Sequence, residues 1–173
     1  MCIRDSPKNC RLTELTLEGI SNIEGDFQCK DYFYVKEFVM PFIRVAGNMT
    51  IALNSGSVDT GAEIEFPKLQ EIGGTLTLGT NRNANNITFP LLKKILGSCS
   101  VTTYKLKNDI EFTNLESIGT DGADAQIKFE IEATNILCPK LKTINGKFDI
   151  ATSSFMFDME VDLSLIHISE PTR

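Results

Sequence analysis

A repeat of about two dozen residues runs through most of the chain and constrains its fold more than any other feature. The stretch IEFPKLQEIGGTLTL, which starts at Ile64, matches ITFPLLKKILGSCSV, which starts 23 residues later at Ile87. Further copies start at Leu15, Phe38, Ile110 and Ile136, so that successive starts are separated by 23, 26, 23, 23 and 26 residues. A period of this length predicts a solenoid, in which each repeat packs on the next.

Apolar residues recur at fixed places in every repeat, and no charged residue interrupts these columns. The first column holds Leu15, Phe38, Ile64, Ile87, Ile110 and Ile136. The second holds Leu17, Met40, Phe66, Phe89, Phe112 and Cys138. The third holds Ile20, Ile43, Leu69, Leu92, Leu115 and Leu141, and the fourth holds Ile23, Val45, Ile72, Ile95, Ile118 and Ile144. Apolar residues in alternation predict strands with one buried face, so we expect all four columns to point inward.

A glycine column and a second alternating stretch complete the repeat. The glycines are Gly25, Gly47, Gly74, Gly97 and Gly146, with Thr120 in the remaining repeat. We expect a corner there that needs positive φ or a close backbone approach. The apolar pairs that follow are Phe27 and Cys29, Met49 and Ile51, Leu76 and Leu78, Cys99 and Val101, and Phe148 and Ile150; Ile127, Phe129 and Ile131 resume the alternation after an insertion.

These patterns predict an all-β chain with two short strands in each repeat and no helix. Stacked repeats pair strand on strand, and right-handed coiling is the default for parallel crossovers. The prolines at 41, 67, 90 and 139 suit corners after the first strand, where the missing N–H costs nothing. We therefore predict a right-handed parallel β-solenoid of about six turns of 23–26 residues.

The unit FPxLxxIxGxLxL, as in FPKLQEIGGTLTL, resembles the receptor L-domain family, a leucine-rich-repeat-like family of cell-surface proteins. The resemblance covers about Leu15 to Ile150. It implies a surface or extracellular module that meets its ligand through outward residues, and it implies no catalytic residue.

The two ends of the chain encode each other on opposite DNA strands. The codons atg tgt ata aga gac ag encode MCIRD, and their reverse complement, ctg tct ctt ata cac at, encodes LSLIH, as at residues 163–167. Two ends of one protein have no reason to do so, whereas a sequencing adapter on both ends of a DNA fragment does. We expect residues 1–6 and 163–173 to be adapter-derived and outside the solenoid register, and residues 7–162 to be a fragment without its true termini. The only histidine, His167, falls in the second tail.

The net charge, the lengths of the apolar runs and the cysteine pattern argue against several kinds of partner and site. The net charge of −6 argues against nucleic-acid and anionic-membrane partners, and no run approaches the ~20 apolar residues that span a bilayer. Cys29, Cys99 and Cys138 fall in inward columns, and no C-x-x-C occurs, so we expect buried, unpaired thiols and no metal or cofactor.

Two features are candidate sites. Tyr32, Phe33 and Tyr34 form an aromatic run that could bind a sugar or a protein, or could instead cover the solenoid edge or pack on sequence missing from the fragment. The sequons at Asn48 and Asn86 predict outward side chains that are glycosylated only if the source is a secreting eukaryote. Asp121 and Asp124 lie in a glycine-rich insertion that a plain solvated loop explains.

These observations predict a non-enzymatic cell-surface or extracellular recognition or adhesion module that binds a protein or glycan through its outward face. One alternative is a fragment of a carbohydrate-active β-helix enzyme, which needs outward carboxylates clustered with Lys, Arg or His across neighbouring turns. The stretches KLQEI, LKKI and LKTI hold no such cluster. A purely structural cell-wall protein is a further alternative.

Overall fold

The computed structural model describes residues 14–30, 37–52, 62–79, 84–103, 110–120, 125–131, 136–152 and 167–169. These residues contain eighteen β-strands and no helix, which confirms the all-β prediction for this part of the chain. The described segments accordingly include no helix of the length and hydropathy that crossing a membrane requires.

Three kinds of strand recur along the chain and stack in parallel as sheets A, B and C. Sheet A contains β1 (Glu14–Thr16), β4 (Glu37–Val39), β7 (Ala62–Glu65), β10 (Ala84–Thr88), β13 (Ile110–Glu111) and β16 (Ile136–Leu137), hydrogen-bonded in that order. Sheet B contains β2 (Asn22–Ile23), β5 (Arg44–Val45), β8 (Glu71–Ile72), β11 (Lys94–Ile95) and β14 (Ser117–Ile118). Sheet C contains β3 (Phe27–Lys30), β6 (Met49–Ala52), β9 (Leu76–Leu78), β12 (Cys99–Thr103) and β15 (Ala125–Ile131).

The longest strand, β17 (Thr143–Thr152), belongs to both sheet B and sheet C and joins them into one 12-stranded sheet. It continues through Gly146, whose φ is 137°. A last strand, β18 (His167–Ser169), pairs with β17. The architecture is a parallel β-solenoid, as predicted.

The strand register follows the repeat found in the sequence. Leu15 pairs with Phe38, Phe38 with Ile64, and the same column continues through Ile87 and Ile110 to Ile136. The fourth column is likewise aligned along sheet B, from Ile23 to Ile144. Because residues at equal positions pair across parallel strands, the period of the sequence becomes a ladder of equivalent residues. Ile64, Ile87 and Ile110 of the first ladder are fully buried.

The third column differs from the prediction at one position. The main-chain N–H of Gln70 donates to the carbonyl oxygen of Ile43 at 2.8 Å, which aligns Ile43 with an exposed polar position. Ile43 is 40% exposed, whereas Phe42 is fully buried and takes the place next to Leu69. The repeat that starts at Phe38 is one residue shorter than the next repeat up to the fourth column, and the missing residue lies before Phe42. The prediction that Ile43 points inward is therefore wrong.

Two further predictions need correction. Each repeat has three strands rather than two, because sheet B consists of two-residue strands that show only one apolar residue each and so no alternation. Residues 167–169 of the second tail, which we expected outside the register, lie within it, since Ile168 pairs with Ile144 in parallel. Backbone pairing alone decides this, because any extended segment with free N–H and C=O groups can continue an open sheet edge.

The core side chains are fully buried in the middle of the stack and partly exposed in the first and last described repeats. Phe66, Phe89, Leu69 and Leu92 are fully buried, while Ile20, in the first described repeat, is 40% exposed. The half-buried residues packed against the core are Leu17, Ile23, Phe27, Cys138 and Leu141, and all of them lie in the first or last described repeat. A residue at an end of a solenoid has a neighbouring repeat on one side only.

In the middle of the stack, the glycine column needs glycine because the backbones of neighbouring repeats approach closely there, and not because φ is positive. The N–H of Gly97 donates to the carbonyl oxygen of Gly74 at 3.0 Å, and Gly74 donates to Gly47 at 2.9 Å. A Cβ on Gly97 would lie 2.7 Å from the carbonyl carbon of Gly74, which no side chain tolerates. Of this column only Gly146 has a positive φ.

Candidate functional site: the outward faces of the solenoid

On the outward face of sheet A, all the charged side chains that the structure describes are glutamates. Glu65 and Glu111 are exposed, and they flank Thr88 in adjacent strands. Glu63 is half-buried, and its Oε2 accepts a 2.9 Å hydrogen bond from Nδ2 of Asn86 on the next strand. Carboxylates at this spacing repel each other in water only weakly, so the face is a solvated acidic surface.

The outward face of sheet B carries charges of alternating sign. Arg44 Nε and Glu71 Oε1 form an ion pair at 3.0 Å, with 44% and 35% of their side-chain surfaces exposed. Lys94 follows Glu71 in register on the next strand. Exposed ion pairs of this kind contribute about 0–1 kcal/mol, so the pair adds little to the stability of the solenoid.

The outward face of sheet C is different, because its middle carries no charge at all. Nine residues on three adjacent strands, or directly next to the ends of these strands, form what we call the hydroxyl patch: Asn48, Thr50, Ala52, Thr75, Thr77, Gly79, Ser98, Ser100 and Thr102. Strands lie about 4.8 Å apart and alternate residues along a strand about 7 Å apart, so these short side chains form a regular grid. Lys30 pairs with Ala52 at one end of the patch, and at the other end Lys128 pairs with Ser100 and Glu130 pairs with Thr102.

One edge of the hydroxyl patch is held rigid by side-chain hydrogen bonds between repeats. Asn48 Oδ1 accepts from the main-chain N–H of Thr75 at 2.8 Å. Asp26 Oδ1 accepts from the main-chain N–H of Asn48 at 2.7 Å and from Asn48 Nδ2 at 3.3 Å. Because the bonds run along the stack, they lock three successive repeats in register at this corner.

The two sequon asparagines are both on the outside, as predicted, but in different settings. Asn48 is exposed, whereas Asn86 is half-buried. In both, Nδ2 is the atom that would carry a glycan, and in both it already donates a hydrogen bond to a neighbouring carboxylate. A glycan at either asparagine would have to replace or share that bond.

The aromatic run Tyr32, Phe33 and Tyr34 lies in the segment 31–36, outside the described residues. The aromatic binding patch therefore stays a prediction from the sequence. Asp121 and Asp124 also lie outside the described residues. Within the described ranges, no group of three or more His, Cys, Asp or Glu side chains could hold a metal ion.

The thiols are part of the core. Cys29 and Cys99 are buried and unpaired, as predicted; Cys138 is unpaired but half-buried, packed against the core in the last described repeat. Burial raises the pKa of the Cys29 thiol and that of the Cys138 thiol to about 12. Burial, and secondarily the neighbouring Cys138, raises the pKa of Cys99 as well. Thiols held neutral in this way are poor nucleophiles.

The hydroxyl patch is the feature that the sequence argument missed. Its signal is the alternation of Thr or Ser with apolar residues in TLTL and SCSVT. The prediction concerned only the apolar, inward residues of these stretches. The outward half of an alternating strand is equally regular, and here it is uncharged in a chain of which 23% is charged.

No family model, curated protein or solved structure matches this chain.

Proposed function

We propose that the chain is a non-enzymatic recognition or adhesion module, extracellular or at the cell surface, that binds a protein or glycan through the outward face of its solenoid. The hydroxyl patch is the observation that favours this function, and it favours an uncharged glycan in particular. Hydroxyl groups both donate and accept hydrogen bonds, so a grid of them matches the hydroxyl groups of a neutral sugar without desolvating a charge.

The finer description of the fold is part of the same proposal. We propose right-handed coiling, six turns of 23–26 residues and the receptor L-domain type. The count is supported by the six strands of sheet A, which succeed one another as every third strand of the chain up to β16. We also propose that residues 1–6 and 163–173 are adapter-derived and that residues 7–162 are the natural part.

Binding to immobilised neutral polysaccharides and to glycan and protein arrays tests the function. Thr77→Lys puts a charge in the centre of the hydroxyl patch and should weaken binding at least tenfold. Ser117→Lys is the matched control, because it adds the same charge on sheet B at a position with similar exposure. Equal binding by the two variants would discard the patch as the site.

The alternatives are separated in the same assay. Replacing both Tyr32 and Tyr34 with alanine should weaken binding if the aromatic run also contacts the ligand, with circular dichroism unchanged. Release of soluble sugar from any polysaccharide would indicate a carbohydrate-active enzyme instead. Binding to none of the probes would favour a structural cell-wall protein and overturn the proposal.

A further inference from the structure

Positive charge is concentrated on one side of the solenoid, although the chain as a whole is acidic. Three rows of outward residues run along the stack, where sheet A turns into sheet B and along sheet B itself. We call them the basic face: a turn row of Lys68, Leu91, Asn114 and Lys140, a corner row of Ile43, Gln70, Lys93, Glu116 and Lys142, and a strand row of Arg44, Glu71, Lys94, Ser117 and Thr143. Six of these residues are basic and two are acidic, which gives the face a net charge of +4 in a chain whose net charge is −6.

Main-chain hydrogen bonds fix the spacing of these rows. In the corner row, each N–H from Gln70 to Lys142 donates to the carbonyl oxygen of the preceding member, at 2.8 to 3.0 Å. In the strand row, Arg44, Glu71 and Lys94 pair in register on adjacent strands. Successive members of a row are therefore one strand spacing apart, about 4.8 Å.

The basic side chains of this face are more exposed than the acidic ones. All six lysine and arginine residues are exposed, whereas Glu71 and Glu116 are half-buried. Glu71 is held by Arg44 in the 3.0 Å ion pair. Among the residues that the structure describes, Lys93 and Lys94 form no ion pair. A ligand that approaches this face therefore meets ammonium groups that are not bound to a carboxylate.

Like charges recur at every second repeat along the basic face. In the corner row Lys93 and Lys142 lie on either side of a glutamate, and in the strand row Arg44 and Lys94 do the same. Two strand spacings amount to about 10 Å. An extended disaccharide of a linear polysaccharide has a similar length. A polysaccharide with one acidic sugar in each disaccharide therefore places its acidic groups at the cations and its neutral sugars over the glutamates.

Other anionic partners fit this face less well. Single-stranded nucleic acids bind to basic surfaces that also carry aromatic side chains for base stacking, and the three rows contain none. A broad anionic surface such as a membrane also comes near the glutamates of sheet A, because charges act over roughly 8 Å at physiological ionic strength. A narrow polymer chain meets the basic face alone. Ile43 and Leu91, which are 40% and 42% exposed, offer apolar contact to the C–H groups of its sugars.

We propose that the basic face binds a linear acidic polysaccharide, which carries one acidic group in each disaccharide and runs along the stack of repeats. The exposed lysines donate charge-assisted hydrogen bonds to its acidic oxygens. Because the attraction is between exposed charges, added salt weakens it. The hydroxyl patch takes no part in this contact, since it lies on sheet C.

Hyaluronan, which carries one carboxylate in each disaccharide, is the probe, and biolayer interferometry with the full chain measures its binding at low and at physiological ionic strength. Lys94→Glu should weaken binding at low salt by about fivefold, the upper end for one exposed ion pair. Lys30→Glu is the matched control, because it reverses the charge of an exposed lysine in a strand of sheet C, and it should leave binding almost unchanged. Lys94→Gln removes the charge without reversing it and should have an intermediate effect. Both lysines are exposed, so circular dichroism should be the same in all three variants.

Ser117→Lys and Thr77→Lys separate this face from the hydroxyl patch. Ser117→Lys adds a cation next to Lys94 in the strand row and should tighten hyaluronan binding, whereas Thr77→Lys on sheet C should leave it unchanged. For a neutral polysaccharide the effects should be exchanged, since Thr77→Lys weakens its binding and Ser117→Lys does not. Failure of one of the two sites is therefore distinguishable from failure of the other.

Polygalacturonate, which carries a carboxylate on every sugar, tests the disaccharide spacing. Glu116→Gln removes the repulsion at an intervening position, so it should strengthen the binding of polygalacturonate more than that of hyaluronan, and equal gains would overturn the spacing. The proposal as a whole is overturned if hyaluronan does not bind at low ionic strength, or if Lys94→Glu and Lys30→Glu weaken its binding equally. Tighter binding of single-stranded DNA or of anionic lipid vesicles than of hyaluronan would also overturn it.

Discussion

The rings of Phe66 and Phe89 lie stacked, with centroids 5.0 Å apart and planes only 4° from parallel. Phe89 stacks in the same way on Phe112, at 5.1 Å and 7°. The ring separation is close to the spacing of neighbouring strands, because parallel strands in register put identical residues one strand apart. Phe89 is therefore enclosed by aromatic rings on both sides of the stack.

Replacing Phe89 with alanine should lower the free energy of unfolding by about 3–5 kcal/mol, since it leaves a cavity between two fixed rings. Urea denaturation followed by circular dichroism measures the change. Leu91→Ala is the control, because Leu91 is 42% exposed and should change stability by no more than about 0.5 kcal/mol. Equal effects of the two substitutions would contradict the buried stack.

Gly74→Ala should destabilise the solenoid strongly, because its Cβ would lie 2.9 Å from the carbonyl carbon of Gly47. Gly25→Ala, at the same position of the first described repeat, meets nothing within 4 Å and should be neutral or slightly stabilising. Thermal unfolding of the two variants under one set of conditions compares them. A fall in Tm of the same size for both would mean that the column needs glycine for some reason other than close approach.

Asn48→Ala should cost roughly 1 kcal/mol, because the main-chain N–H of Thr75 loses its acceptor and Asp26 loses a donor. Thr77→Ala removes a hydroxyl from the same face without breaking this ladder, and it should cost less. Hydrogen exchange at the Thr75 amide gives a local measurement. Unchanged protection of that amide in Asn48→Ala would show that the side-chain bond does not hold the corner.

Cys29 and Cys99 should react with a thiol reagent at pH 8 only after the chain is denatured, because both are buried and their pKa values are raised. Cys138, which is half-buried, should react sooner than these two but more slowly than in the denatured chain. Peptide mass spectrometry after timed labelling assigns the reaction to each residue. Rapid labelling of Cys29 or Cys99 in the folded protein would be incompatible with its place in the core.

Stability should fall as the pH rises from about 9 towards 12. The pKa of Cys29 is about 12 in the folded protein, against 9.0 as its ordinary value, so above pH 9 the unfolded chain releases a thiol proton that the folded chain retains. The stabilising effect of the neutral thiol is complete below pH 9 and is lost as the pH approaches 12. Cys29→Ala should therefore show a shallower decline in urea midpoint over that range, and an identical slope would contradict the shift.

The sequence by itself determined the period of the solenoid, its parallel pairing and most of its core. A residue type that returns every 23–26 positions can be buried in every repeat only if the repeats stack in register, so columns such as Ile64, Ile87 and Ile110 define the strand pairing before any coordinates are known. The same logic placed Cys29 and Cys99 in the core, because they replace aliphatic residues of their columns.

Only the tertiary structure decided those details for which two placements of the chain fit the same sequence pattern. Phe42 and Ile43 are both apolar, so the position of a one-residue deletion was ambiguous until the hydrogen bond from Gln70 to Ile43 aligned the chain. The sequence pattern did not predict sheet B, because a two-residue strand has no periodicity. It did not predict the strand at Ile168 either, because an open sheet edge pairs through main-chain groups that every residue has. Side-chain patterns specify what is buried, whereas backbone pairing at corners and edges depends on which segments meet in space.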